Sequence, residues 1–214
     1  MTDVAALIDR HLPAARSGDR RAFAALVAAT QGTVASIALA IVRDVQHSED
    51  IAQDVYLQVW GKLDELRNPD SFLPWLREVT RNRSRDFLRR SKVRPGDAPN
   101  ADPDAVLARL ASADRADDAL ELDERRRALD TAFDQLPAEA REVLTLYYRE
   151  GESTAQVASL LGLRPATVRQ RLSRARKALT AGVERALAGK LVRTAPGAAF
   201  TAVVAGLLTT ASPP

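Results

Sequence analysis

The stretch Ser153-Thr-Ala-Gln-Val-Ala-Ser-Leu-Leu-Gly-Leu-Arg-Pro-Ala-Thr-Val-Arg-Gln-Arg-Leu-Ser-Arg-Ala-Arg-Lys-Ala-Leu179 reads as two short helices joined by a tight turn. Ala158 is small where two helices would cross closely, Gly162 stands at the bend, and Val168 returns an apolar side chain to the core. A positive backbone dihedral at such a bend costs glycine less than any residue with a Cβ. Ser153 and Gln156 have the spacing of a capping box for the first helix. Pro165 suits the first turn of the second, where its missing N–H costs nothing. From Arg164 to Lys177 there are five Arg and one Lys and no acid. A short supporting helix that presents a cationic helix across a turn is built to enter a DNA major groove. Arg164 falls at the N-cap of that helix, where Ser, Thr or Asp would cap better, and it carries a cation to where a phosphate could pass.

Working outward, the 214 residues allow one or two domains, with 46% hydrophobic residues to form cores and only 5% aromatics. Abundant Ala and sparse Gly favour helices, and an all-α fold is expected. There is no cysteine, which excludes disulfides and thiolate metal sites. His11 and His47 stand apart and read as surface residues, so neither a metal nor another cofactor is expected. Asp3, Asp9 and Arg10 interrupt any apolar leader, and a cytoplasmic location is expected.

The net charge of +3 conceals sorted blocks. Residues 44–65 carry six acids against Lys62, residues 76–94 carry eight cations against Glu78 and Asp86, and residues 97–124 carry nine acids against Arg109 and Arg115. Sorted blocks of charge suggest distinct partners.

Four helices are expected in a first domain, 1–95, near 3–16, 19–43, 48–66 and 71–91, with breaks at Ser17–Asp19, Val45–His47 and Arg67–Asp70. Residues 96–118, rich in Pro, Asp and Ala, read as a flexible acidic linker. A second helical domain, 119–189, has helices over 121–135 and 138–150 ahead of the helix-turn-helix, and 190–214 is a tail.

In the third helix, Ile51, Val55, Tyr56, Val59, Trp60 and Leu63 form an apolar stripe, and Asp50, Gln53, Asp54 and Gln58 share the opposite face. That polar face suits a basic helix of another protein, or plain solvent. In the fourth, Trp75, Leu76, Val79 and Phe87 face a core. Arg77, Arg81, Arg85 and Arg89 follow one ridge, with Arg83 and Arg90 beside it. Such a surface repels itself unless an anion meets it, and a nucleic-acid backbone is the natural candidate. The loop Arg67–Ser71 beside aromatic residues suits an unstacked base.

These blocks, in this order, resemble the RNA polymerase sigma factors of the extracytoplasmic-function group, in the sigma-70 family. Ser48–Trp60 is similar to the family's polymerase-binding helix, and Ser71–Arg90 to the helix that engages the promoter's −10 element. Leu136–Gly151 with the helix-turn-helix is similar to the domain that reads the −35 element.

The resemblance implies two small helical domains, sigma regions 2 and 4, joined by the linker. It implies that Glu49, Asp50, Gln53 and Asp54 contact the clamp helices of the polymerase's largest subunit. Arg67, Asn68, Asp70 and Ser71 would capture a flipped −10 base, with Arg77, Arg81, Asn82 and Arg85 beside the strand. Arg169, Gln170, Ser173 and Arg174 would face −35 base edges, while Arg164, Thr167, Arg171 and Lys177 hold phosphates. It further implies core polymerase, promoter DNA and an anti-sigma factor or other inhibitor as partners, and no catalysis by the chain itself. His47 stands where the family often has an acid. A free-standing helix-turn-helix regulator is the alternative reading, and no nucleophile–base pair or phosphate loop suggests an enzyme.

The tail has 21 uncharged residues from Thr194 to Pro214, but its prolines and glycines leave a helix of only about 199–210. A membrane span needs about 20 apolar residues, so stable insertion is not expected. Phe200, Val203, Val204, Leu207 and Leu208 make a one-sided stripe, which predicts a helix docked on a domain or on a partner.

Overall fold

The computed structural model describes residues 4–66, 68–93, 131–149, 151, 153–179 and 196–211. Eight α-helices are named within them: α1 Val4–Arg16, α2 Arg20–Val42, α3 Val45–Trp60, α4 Phe72–Val93, α5 Ala138–Arg149, α6 Thr154–Leu161, α7 Pro165–Ala178 and α8 Ala198–Leu207. The described residues contain no strand, so the all-α expectation holds. The expected linker 96–118, most of helix 121–135, and residues 180–195 lie outside the described residues.

Local chemistry places the breaks. Asp19 caps α2, its Oδ1 accepting from Arg21 N at 2.8 Å and Ala22 N at 3.1 Å. Arg43 ends α2 in the left-handed region with φ 66°, its N–H donating to the Leu39 carbonyl. Asp44 then caps α3 by accepting from His47 N at 2.7 Å. The turn between α2 and α3 is therefore Arg43-Asp44, two residues earlier than the expected break, and α3 begins at Val45. At its other end α3 stops at Gly61 rather than running to 66, and Leu63–Glu65 form a short 3₁₀ turn that buries Leu63. A second 3₁₀ turn, Pro69–Ser71, is capped by Asn68, whose side chain accepts from Asp70 N.

One core gathers Ile8 and Leu12 of α1, Phe23, Leu26 and Val27 of α2, the α3 stripe, and Phe72 and Leu76 of α4. The other gathers Phe133, Leu136, Val143 and Leu144 around Val157, Val168 and Leu172. Helix α2 serves both: Ile37 and Leu39 are buried in the second core, Val34, Ala35 and Ala38 in the first. That double burial explains a 23-residue helix apolar on nearly all sides. It is long and apolar enough to cross a bilayer, but 72% of its apolar window is buried in the protein.

The tail forms α8 and docks on the first domain. Phe200, Val204 and Leu208 enter the first core, and the Phe200 ring meets Tyr56 edge-on at 6.2 Å. Thr201 hydrogen-bonds Gln31 across the seam, and Arg20 donates to the Ala211 carbonyl. The stripe is narrower than expected, since Val203 and Leu207 remain exposed on the far side. With 3.6 residues per turn, positions 200, 204 and 208 follow one line, while 203 and 207 drift off its edge.

Candidate polymerase and nucleic-acid surfaces

The turn of the helix-turn-helix is built as its residues dictate. Ser153 Oγ accepts from Gln156 N and the Gln156 side chain accepts from Ser153 N, completing the capping box. Gly162 closes α6 with φ 64°, and Leu163 N returns to the Ala158 carbonyl at 2.8 Å. Val157, Ala158 and Val168 are buried at the crossing. Arg164 is the N-cap of α7 and makes no side-chain cap, leaving its guanidinium to solvent.

Burial of Val168, Leu172 and Ala175 fixes the inner face of α7. The outer face exposes Arg164, Arg169, Gln170, Ser173, Arg174 and Lys177, with Thr167 and Arg171 half-buried at its edges. All eight residues expected at the −35 element therefore lie on or beside one cationic surface. Arg176, given no role from sequence, packs beside it: its guanidinium lies 5.3 Å and 5.6 Å from the Tyr147 and Tyr148 ring centres, and donates to the Tyr148 hydroxyl. Arg176 and Tyr147, together with Thr154, Arg169, Leu172, Ser173 and Lys177, line an open cleft of about 530 Å³. The adjacent tyrosines were the available signal, since they sit on the helix that buttresses α7.

On α3, Asp50 and Asp54 are exposed while Glu49 and Gln53 are half-buried, so the four expected polymerase contacts share one acidic edge. Asp54 accepts from Arg83 of α4 at 2.6 Å. Local spacing does not announce this bridge, because 29 residues separate the partners.

The residues expected at the −10 element are divided. Asn68 and Asp70 are exposed at the 3₁₀ turn with Ser71 half-buried, Asn82 and Arg85 are exposed on α4, and Arg67 lies outside the described residues. Arg77 and Arg81 are instead turned toward the second domain. Arg77 is 9% exposed and donates to the Leu160 carbonyl at 2.7 Å, with the Ser159 carbonyl at 3.5 Å. These carbonyls form the C-terminal end of α6, whose dipole favours a cation. Burial, then the neighbouring Arg81 charge, pulls Arg77 below the ordinary arginine value. Arg81 is also held back by burial, but the charge and hydrogen bonds of Glu142 and Glu78 outweigh it and raise its pKa. Its guanidinium lies 2.7 Å from each carboxylate.

Known proteins match these two halves. Residues 26–94 match the model described as Sigma-70 region 2, and residues 126–179 match Sigma-70, region 4. The chain is 45% identical over 208 residues to a probable RNA polymerase sigma factor RfaY of Xanthomonas campestris pv. campestris. That match covers 97% of this chain but 52% of the relative, so the chain spans about half of that protein's length. It is 28% identical to the ECF RNA polymerase sigma-E factor of Escherichia coli, over 77% of this chain and 87% of the relative. Among solved structures it is similar to that of CnrH in complex with the cytosolic domain of CnrY, with TM-score 0.51 and 27% identity. That likeness covers 84% of this chain and 98% of the other.

Proposed function

The chain belongs to the extracytoplasmic-function group of the sigma-70 family, and on that premise we propose that it confers promoter specificity on RNA polymerase in the cytoplasm. In this reading it has no catalytic activity of its own. It binds core polymerase, recognises −10 and −35 elements, and starts transcription of a stress or signal regulon. The observation that carries the reading is one chain bearing an acidic edge on α3 and an acid-free cationic face on α7. A regulator that only bound duplex DNA would need the second and not the first.

The roles follow from chemistry. The α3 edge of Glu49, Asp50, Gln53 and Asp54 meets a basic surface of the polymerase, where opposite charge speeds encounter and fixes register. The exposed α7 arginines have the planar fork that matches guanine O6 and N7, each such contact contributing about 1–3 kcal/mol of base discrimination. Phosphate contacts from Arg164, Thr167, Arg171 and Lys177 set the register of the helix on the duplex without reading sequence. On α4 and the turn before it, Asn68, Asp70, Ser71, Asn82 and Arg85 line a path for a separated strand, with Arg67, Arg77 and Arg81 joining it. The structure of CnrH holds the cytosolic domain of CnrY, and an inhibitory partner is proposed here by analogy.

The test is co-elution of the chain with bacterial core RNA polymerase on size exclusion, followed by transcription from the chain's own upstream promoter. Wild type should co-elute and yield promoter-dependent transcripts. Reversing both Asp50 and Asp54 to Arg should abolish co-elution while leaving duplex DNA binding by α7 within about twofold, since the two surfaces are separate. Retained co-elution in that variant would reject the α3 assignment. DNA binding with no polymerase association in either protein would point to a self-sufficient regulator.

A further inference from the structure

Of the three acids on the α3 edge, Glu49, Asp50 and Asp54, only Asp54 is held by a cation of the same chain among the described residues. Arg83 of α4 donates from Nη2 to its Oδ2 at 2.6 Å. The two side chains are 33% and 50% exposed, so the pair lies open at the rim of the α3–α4 seam. Arg83 is also the one arginine of α4 with an α3 partner among the described residues. Arg77 donates to α6 carbonyls, Arg81 pairs with Glu78 and Glu142, Arg89 pairs with Asp86, and Arg85 is exposed.

Two effects of this pair oppose each other when α3 meets a basic surface. Holding Asp54 in one rotamer helps a partner find it, whereas offsetting its charge weakens the pull. A short side chain has little rotamer freedom to lose, so the orienting gain is small. The charge effect is larger, because the bound cation offsets one of three negative charges on the edge. Only one hydrogen bond joins the partners, so the two-pronged geometry that strengthens arginine–carboxylate pairs is not used. An exposed pair of this kind is weak enough to be exchanged.

We propose that Arg83 sets the affinity of the α3 edge, as an internal counter-ion that competes with the polymerase for Asp54. This rests on the reading of α3 as the polymerase edge. A polymerase cation that takes Asp54 must displace or share the Arg83 contact. The free chain therefore docks more slowly and less tightly than its three acids alone would allow. Charges at the rim of an interface act mainly on the rate of encounter and on its dependence on salt.

The test is the association of the full chain with bacterial core RNA polymerase, free of nucleic acid, followed by biolayer interferometry at low and high salt. Arg83→Gln and, independently, Arg83→Met, which keeps the aliphatic stem, should each raise the association rate and the affinity by up to about fivefold at low salt. The gain should shrink at high salt, where surface charges are screened. Arg83→Lys keeps a cation for a partner that needs only one bond, and should behave as wild type. Asp54→Asn should weaken binding, and adding Arg83→Gln to it should change the affinity by less than about twofold, because the group competed for is gone. Circular dichroism checks that each variant is folded. Folded Arg83 variants that bind no tighter than wild type, or more weakly, overturn the proposal, since orientation would then outweigh charge. An undiminished gain in the Asp54→Asn background overturns it as well, because Arg83 would then act without Asp54. Unchanged binding by Asp54→Asn alone overturns the α3 reading at that residue, and the proposal with it.

Discussion

Gly162 shows how one residue answers to two neighbours. Its φ of 64° is required by the bend, and its bare α-carbon admits the Arg77 guanidinium. Gly162→Ala should therefore destabilise the protein by about 1–2 kcal/mol from the left-handed backbone alone. Displacement of a flexible guanidinium adds a smaller cost, and urea denaturation checks the sum. Ser153→Ala, which removes a cap but no interdomain contact, should lower stability by about 1 kcal/mol. The difference between the two appears in the interdomain distance, which only the glycine variant should change. At this scale Ala158, Gly162, Val168 and the Ser153–Gln156 box were legible in the sequence, because each acts on backbone within four residues of itself. Arg77 was not: its character as a cation was plain, but its acceptors lie 82 and 83 residues away.

At the scale of elements, α8 separates period from burial. Its apolar stripe predicted docking, and Phe200, Val204 and Leu208 do dock, but Val203 and Leu207 remain in solvent because only one ridge fits against α2 and α3. Phe200→Ala should cost about 3–5 kcal/mol, the usual range for emptying a buried phenylalanine site. Val203→Ser and Leu207→Ser should each stay within about 0.5 kcal/mol, as surface changes do. Thermal melts of the three variants compare them directly, and equal losses would mean that α8 packs by its whole circumference. Helix α3 carries a similar lesson: its apolar stripe was readable, but its start at Asp44 and stop at Gly61 depended on caps that the periodicity does not report.

For the whole molecule, the shared helix α2 is the decisive feature. Because it contributes side chains to both cores, the domains should unfold together. Both tryptophans, Trp60 and Trp75, belong to the first domain, whereas circular dichroism reports every helix. The two signals should give coincident urea transitions in wild type. In a chain carrying both Asp134→Arg and Glu142→Arg they should still coincide, at lower urea, because Ile37 and Leu39 stay buried in the second core, and separate curves would show that the ion pairs are needed for coupling. Coincident curves in that double variant would mean that the α2 packing alone couples the domains.

The sequence by itself determined the helices, the turn between α6 and α7, the outward cations of α7 and the sorting of charge into blocks. Each of these follows from spacing and side-chain chemistry within a few turns of backbone. Tertiary structure alone decided that α2 is walled on both sides, that Asp54 is tied to Arg83, and that Arg77 and Arg81 face the second domain. Arginine is long, flexible and able to donate to carbonyl, carboxylate or phosphate alike. Its sequence position therefore announces a charge, and only the folded chain settles which acceptor that charge meets.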